Sequence, residues 1–310
     1  MAESLLLLAA VLSFVFGWNN SSFLIGNVRG SGALSLRGAL AVTVIGLLAG
    51  VLFEGQKMLR SLDGDLAAAV SAQGMAVTFV VSIAITVAMT FADLPASFSA
   101  TMVGAFLGVA LALGSRIYLG QTYLVVAFWF VAPLLSGLAA FLIHRSIRHA
   151  ESRLGLVAVD SMNRWGTVLG SLATAYALGA NNIGLILGSA LNGSQASDFS
   201  VLALGLTLAA LAGTLLLGRG GVSGTIGDRL LVLTPQGVIS VFVSSALLVW
   251  LGTQLRVPVS ISQCILGGML GAALSQNVAV INRRLMIESI GSWVVVPALA
   301  LVASYLLMAA

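Results

Sequence analysis

This 310-residue chain repeats its polar words at a fixed distance inside hydrophobic sequence, which leaves few folds open to it. Residues 17–20 read GWNN and residues 179–182 read GANN; residues 95–99 read PASFS and residues 258–262 read PVSIS. The offset is 162 from Asn19 to Asn181 and from Gly26 to Gly188, and 163 from Pro95 to Pro258 and from Gly108 to Gly271. It reaches 164 from Trp129 to Trp293 and from Pro133 to Pro297. A one-residue drift is what loop insertions leave behind after a duplication. Hydrophobic segments interrupted by Gly and Pro at matching places in two halves point to a transporter site.

Hydrophobic residues make up 59% of the chain and charged residues 8%, against about 25% charged in a soluble domain. Apolar stretches recur from end to end, so the whole chain reads as an integral domain of a lipid bilayer. The first stretch, residues 5–16, has no basic leader and carries Glu3, which reads as a retained span and not a cleaved signal peptide. The net charge of +4 is scattered between spans, where it sets topology, and is no nucleic-acid footprint. One cysteine, Cys264, excludes an internal disulfide and a Cys-based metal site. The two histidines, His144 and His149, fall in the most charged stretch and read as solvated loop residues. P-loop, HExxH, GxSxG and paired-carboxylate patterns are absent, so neither an enzyme, a resident cofactor nor a bound metal is expected.

The pattern predicts an all-α membrane protein of about ten segments, five per half. They fall near residues 4–26, 37–54, 67–92, 97–114 and 122–143, then 165–191, 199–217, 235–255, 259–276 and 288–309. Five is odd, so the halves must cross the membrane in opposite senses, as inverted-topology repeats. Residues 1–143 form the first repeat, 144–164 a polar linker and 165–310 the second. Ten Lys and Arg fall on the linker side and four on the other. That places the linker in the cytoplasm and both termini outside a multi-pass plasma-membrane protein. The fourth segment of each half is short and is expected to start at its proline, as a half-helix or re-entrant hairpin.

Two constellations carry the functional expectation. Asn19, Asn20, Asn181 and Asn182 lie in apolar spans, where bare amides are expensive. They either glue helices together or bind a ligand, and flanking Gly17 and Gly179 let the helix break there. Ser97, Ser99, Ser260 and Ser262, with Gln263 beside them, follow the two prolines. Such serines either bond their own backbone or face an anion beyond a helix N-terminus. Two N-termini related by an in-plane axis can converge on one midplane site, an arrangement suited to a tetrahedral oxyanion. Asp93 and Arg256 each stand two residues before a proline and are expected either to pair with each other or to lie in water. Glu54 and Glu288, at segment ends, read as interfacial.

These motifs resemble those of the inorganic phosphate transporter (PiT) family of sodium- or proton-coupled permeases. Residues 17–26 and 179–188 fall on that family's duplicated GANDxxNAxG motif. PVSISQ, residues 258–263, and more weakly PASFSA, residues 95–100, resemble its Pro-Val-Ser-x-Thr-His element, and residues 224–237 resemble the stretch before it. The resemblance implies phosphate transport through an oxyanion site drawn from both repeats. Departures bear on coupling: the motif Asp is Asn20 and Asn182, its second Asn is Phe23 and Leu185, and Thr-His is Ser262-Gln263 or Ser99-Ala100. Sodium or proton coupling is therefore left undecided. Sulfate, which only accepts hydrogen bonds at neutral pH, suits an all-donor site. A sulfate permease or a passive anion channel stand as alternatives, and a homodimer stays open.

Overall fold

The computed structural model describes residues 2–21, 25, 34–92, 97–192, 198–217, 233–276 and 283–310. In chain order its helices are α1 (Ala2–Ser21), α2 (Leu36–Glu54), α3 (Ala72–Phe91), α4 (Phe98–Ala112), α5 (Leu119–Glu151) and α6 (Leu156–Leu178). They continue as α7 (Gly184–Asn192), α8 (Phe199–Leu217), α9 (Pro235–Gln254), α10 (Ile261–Gln276) and α11 (Arg283–Ala309). A 3₁₀ turn, Gly55–Met58, follows α2, and a π-helical turn, Gly179–Ile183, joins α6 to α7 without a break.

Seven of the described helices, α1, α2, α3, α5, α8, α9 and α11, are long and apolar enough to cross a bilayer. The molecule is therefore a multi-pass membrane protein. Its outward apolar residues, such as Leu134 (74% exposed) and Leu216 (70%), give the bundle the apolar exterior that a lipid bilayer accommodates. The ten expected segments are not all spans of this kind. Helices α4 and α10 have 15 and 16 residues, about 22–24 Å, against a hydrocarbon core of about 30 Å. Twelve residues of each are buried, so protein surrounds them. Helix α4 packs on α3 and α11, and α10 packs on α9 and α5. Helix α6 opens with Asp160, Asn163 and Arg164, which lowers its hydropathy below that of a span.

Helix starts repeat as faithfully as the motifs do. Ser71 caps α3 by accepting from the Gly74 amide at 3.1 Å, and Thr234, 163 residues later, caps α9 through Gly237 at 3.3 Å. Ser35 caps α2 through Gly38 at 3.3 Å, while Asp198, again 163 later, accepts from Ser200 at 3.0 Å at the start of α8. A side-chain oxygen satisfies first-turn amides that no helix can satisfy.

Helices cross where glycine permits backbone to meet backbone, and each crossing has a counterpart with the halves exchanged. A Cβ on Gly17 of α1 would overlap the Ala210 carbonyl of α8, and one on Gly179 the Leu47 carbonyl of α2. Gly213 meets Phe14 as Gly50 meets Tyr176, and Gly104 meets Pro297 as Gly267 meets Pro133. Every partner is the other's repeat equivalent. Gly17 and Gly179 therefore serve close packing; no helix break occurs at Gly17, contrary to the sequence expectation, while at Gly179 the α-helix gives way to the π-turn. In lipid, where apolar side chains gain nothing by leaving solvent, such close approach is the main source of helix association.

The polar stretch 144–164 is mostly helix. Helix α5 runs to Glu151 and α6 starts at Leu156, leaving only residues 152–155 between them. Arg and Glu are good helix formers, so α5 has no reason to stop where it leaves the apolar layer. His144, expected in solvent, is 1% exposed, with Nδ1 2.8 Å from the Ser275 hydroxyl of α10.

Gly50→Val and Gly213→Val, equivalent crossings, should each lower the melting temperature of the detergent-purified protein, by overpacking worth about 1–3 kcal/mol. Gly205→Ala and Gly291→Ala, where an added Cβ meets nothing within 4 Å, should not lower it. Equal melting of all four variants would contradict the packing role.

Candidate functional site

The GANNI π-turn lies in the middle of the second Asn motif, and all five of its residues are buried. Asn181 is wholly buried, and its carboxamide is fully engaged. Its Nδ2 donates to the Val257 carbonyl and to Thr253 Oγ1, both at 3.1 Å, and lies 3.8 Å from Met58 Sδ. Its Oδ1 accepts from the Val259 amide at 3.1 Å. One side chain thus holds the backbone on both sides of Pro258. In the first motif Asn19 Nδ2 donates to Thr90 Oγ1 at 2.8 Å, and Asn20 Nδ2 to the Phe16 carbonyl at 3.1 Å. Thr90 and Thr253 are 163 residues apart, so the Asn–Thr bond is made twice.

The serine elements are built as caps. Ser97 precedes α4 and accepts from the Ala100 amide at 3.2 Å; Ser260 precedes α10 and accepts from the Gln263 amide at 3.4 Å. Pro258 therefore lies in a non-helical lead-in, and the first serine, not the proline, opens the helix. The expectation of a proline at the first helical position is corrected for that copy; Pro95 lies outside the described residues. A proline pushes its predecessor out of the helical region, which suits a segment that leads into a cap.

The second serine of the first copy makes the link between the halves. Ser99 Oγ lies 2.9 Å from the Val259 carbonyl and 3.4 Å from Asn182 Oδ1. A hydroxyl carries one hydrogen, so these two acceptors are alternatives. Phe98, between the two serines, stacks edge-on against Phe16 of α1 with centroids 4.9 Å apart. The start of α4 thereby touches α1 one residue before the first Asn motif, the second Asn motif and the lead-in to α10. Ser262 Oγ lies 3.0 Å from Ser260 Oγ. Gln263 is 1% exposed and its Nε2 has no hydrogen-bond partner among the described residues.

All nine candidate side chains are buried, and none is ionisable. Among the described residues no group of three or more His, Cys, Asp or Glu is placed to hold a metal ion. Cys264, next to Gln263, is wholly buried. Arg256 stands apart from the cluster: its guanidinium is 3.8 Å from the Asp65 carboxylate, and its carbonyl accepts from Ser61 Oγ at 2.9 Å. Asp93 lies outside the described residues. The participants missed from the sequence are Thr90, Thr253 and Met58. The two threonines each stand five residues before a repeat proline, so the offset that found the serines would have found them.

Short buried helices whose capped N-termini meet duplicated polar motifs thus lie inside a multi-span bundle, and the family that the chain matches is a transporter family. The profile of the Phosphate transporter family matches residues 16–304, and the chain belongs to that family. It is 22% identical over 307 residues to a Methanocaldococcus jannaschii protein whose name assigns it, provisionally, as a phosphate permease, covering 97% of this chain and 95% of that one. It is 23% identical over 313 residues to the sulfate permease CysP of Bacillus subtilis, covering 97% and 87%. The fold matches a solved structure named the sodium-dependent phosphate transporter at a TM-score of 0.86 and 16% identity, covering 99% and 98% of the two chains.

Asn181→Asp should destabilise the fold, because a carboxylate cannot donate to the Val257 carbonyl or to Thr253. One such unsatisfied buried group is worth about 1–3 kcal/mol. Thermal unfolding of the purified variant checks this, and wild-type stability would show that Asn181 does not staple the lead-in.

Proposed function

We propose that the chain is a secondary transporter of a tetrahedral inorganic oxyanion, with phosphate as its substrate. It would work by alternating access at a site between two inverted repeats, residues 1–143 and 165–310. The observation that carries this reading is the position of Ser99, from the first repeat, against Asn182 and Val259 from the second. The exchanged glycine crossings and caps support a two-fold relation between the repeats, and the basic residues support a cytoplasmic 144–164 with both termini outside. Asn19 and Asn181 position the site, while Asn20, Asn182, Ser97, Ser99, Ser260, Ser262 and Gln263 surround the anion. Gln263 brings an unspent donor. The first turns of α4 and α10 add backbone N–H groups and positive helix ends. Membership of the Phosphate transporter family favours phosphate.

Sulfate is the second reading, favoured by the similarity to a sulfate permease along 97% of the chain and by the absence of a carboxylate among the nine residues. Hydrogen phosphate brings a proton that needs an acceptor, and here only amide and hydroxyl oxygens can take it. Both anions are tetrahedral and fit the same donors, so the assignment rests on uptake.

Asn182→Ala and Ser260→Ala should each cut phosphate uptake into proteoliposomes strongly while the protein stays folded and extractable. Uptake at the wild-type rate by both would remove the site assignment.

Sodium dependence should be weak, because a cation held by carbonyls and amide oxygens alone lacks the charge a carboxylate contributes. Uptake measured with and without a sodium gradient checks this; a steep dependence with more than one ion per cycle contradicts it.

Asn20→Asp with Asn182→Asp should move selectivity from sulfate toward hydrogen phosphate by roughly ten- to hundredfold, the value of one satisfied buried polar contact. Competition uptake across neutral pH reads the ratio, and an unchanged ratio in an active double variant refutes the proton-acceptor argument.

A further inference from the structure

Helix α5 is longer than a membrane is thick, and its surplus forms a second polar site. Its 33 residues extend about 50 Å, while about 20 residues cross the hydrocarbon layer. The turns from Phe141 onward, ending in Arg148, His149 and Glu151, therefore lie at headgroup level. There α5 and the C-terminal end of α10 enclose a cleft of about 430 Å³ lined by Phe141, Arg145, Arg148, His149, Leu274 and Ser275. Among the described residues that line it, every ionisable one is Arg or His. Glu151, the only acid among residues 141–151, is not among the described residues lining the cleft and accepts from Gln236 of α9 on one carboxylate oxygen at 2.7 Å. The Arg153 guanidinium reaches His149 Nε2 at 2.8 Å, bringing a third cation to the same end of the helix. Ser275 is held by buried His144 at 2.8 Å, so the hydroxyl at the floor of the cleft is fixed.

We propose that this cleft binds the phosphate of an anionic phospholipid of the cytoplasmic leaflet. The phosphate would sit between Arg145 and Arg148. The acyl chains have a path already laid. Leu138 and Leu142 share a helix face with Arg145 and are 56% and 54% exposed, and Leu274 across the cleft is 69% exposed. A soluble anion would use the guanidinium groups and leave this apolar ramp idle. Basic pockets between membrane helices on the cytoplasmic side are a recurring form of lipid recognition. The cleft is separate from the oxyanion site: Ser275 and Ser262 are 13 residues apart on α10, about 20 Å along its axis.

Native mass spectrometry of the detergent-purified full chain tests this with phosphatidylglycerol and phosphatidylcholine offered together. The wild type should retain phosphatidylglycerol preferentially. Arg145→Gln with Arg148→Gln should lose roughly ten- to thirtyfold of that preference, and Arg145→Lys with Arg148→Lys should keep most of it. Melting curves without added lipid should coincide for all three, since both arginines lie on the surface of α5. Equal phosphatidylglycerol retention by the wild type and the Gln variant overturns the proposal. So does an arginine-dependent affinity for inorganic phosphate alone in the absence of any lipid preference.

Discussion

The carboxamide of Asn181 does what no helix can do for the chain around Pro258. At membrane depth every backbone N–H and C=O needs a partner from the protein, and an extended segment cannot supply its own. Asn181 accepts from Val259 and donates to Val257, so one side chain satisfies backbone groups on both sides of Pro258. A short helix can then begin in the protein interior with its N-terminus aimed at other polar groups. Asn181 is placed by the π-turn, and the π-turn lies where Gly179 lets α6 approach α2. Close helix crossing, widened turn, non-helical lead-in and buried helix start form one chain of dependence.

Much of this was legible in the sequence because duplication writes every constraint twice. The Asn pairs, the serines and the proline pair were found by the offset alone, and the structure places Ser99, Asn182 and the residues around Pro258 within hydrogen-bond distance. What was misread is equally physical. Gly17 and Gly179 suggest a flexible break when only local conformation is considered, but a missing Cβ also permits contact with a helix distant in sequence. Pro258 suggests a helix start, but Ser260 has the capping oxygen, and the cap decides where the helix begins. His144 looks solvated beside Arg145 and Arg148, yet α5 continues through it and turns its imidazole toward α10. The misreadings of Gly17, Gly179 and His144 came from partners more than a hundred residues away, and that of Pro258 from a cap two residues on.

The repeat also bears on movement. The halves meet at narrow backbone-to-backbone crossings at small residues, beside one core of buried apolar side chains drawn from both. The proposed site lies where the two short helices start, and the alternating access proposed for it would have to preserve the Asn19–Thr90 and Asn181–Thr253 bonds that hold those starts. The all-neutral side chains suit a dianion bound by directed donors, without a fixed countercharge.

The most direct test is a double-mutant cycle on anion affinity, using Ser99→Ala from the first half and Gln263→Ala from the second, read by titration calorimetry of the purified protein. If both halves grip one anion, each substitution weakens binding and the two losses are not additive, because the residues couple through the ligand they share. Weakening by only one of them, or fully independent losses, would contradict a single site built from both repeats.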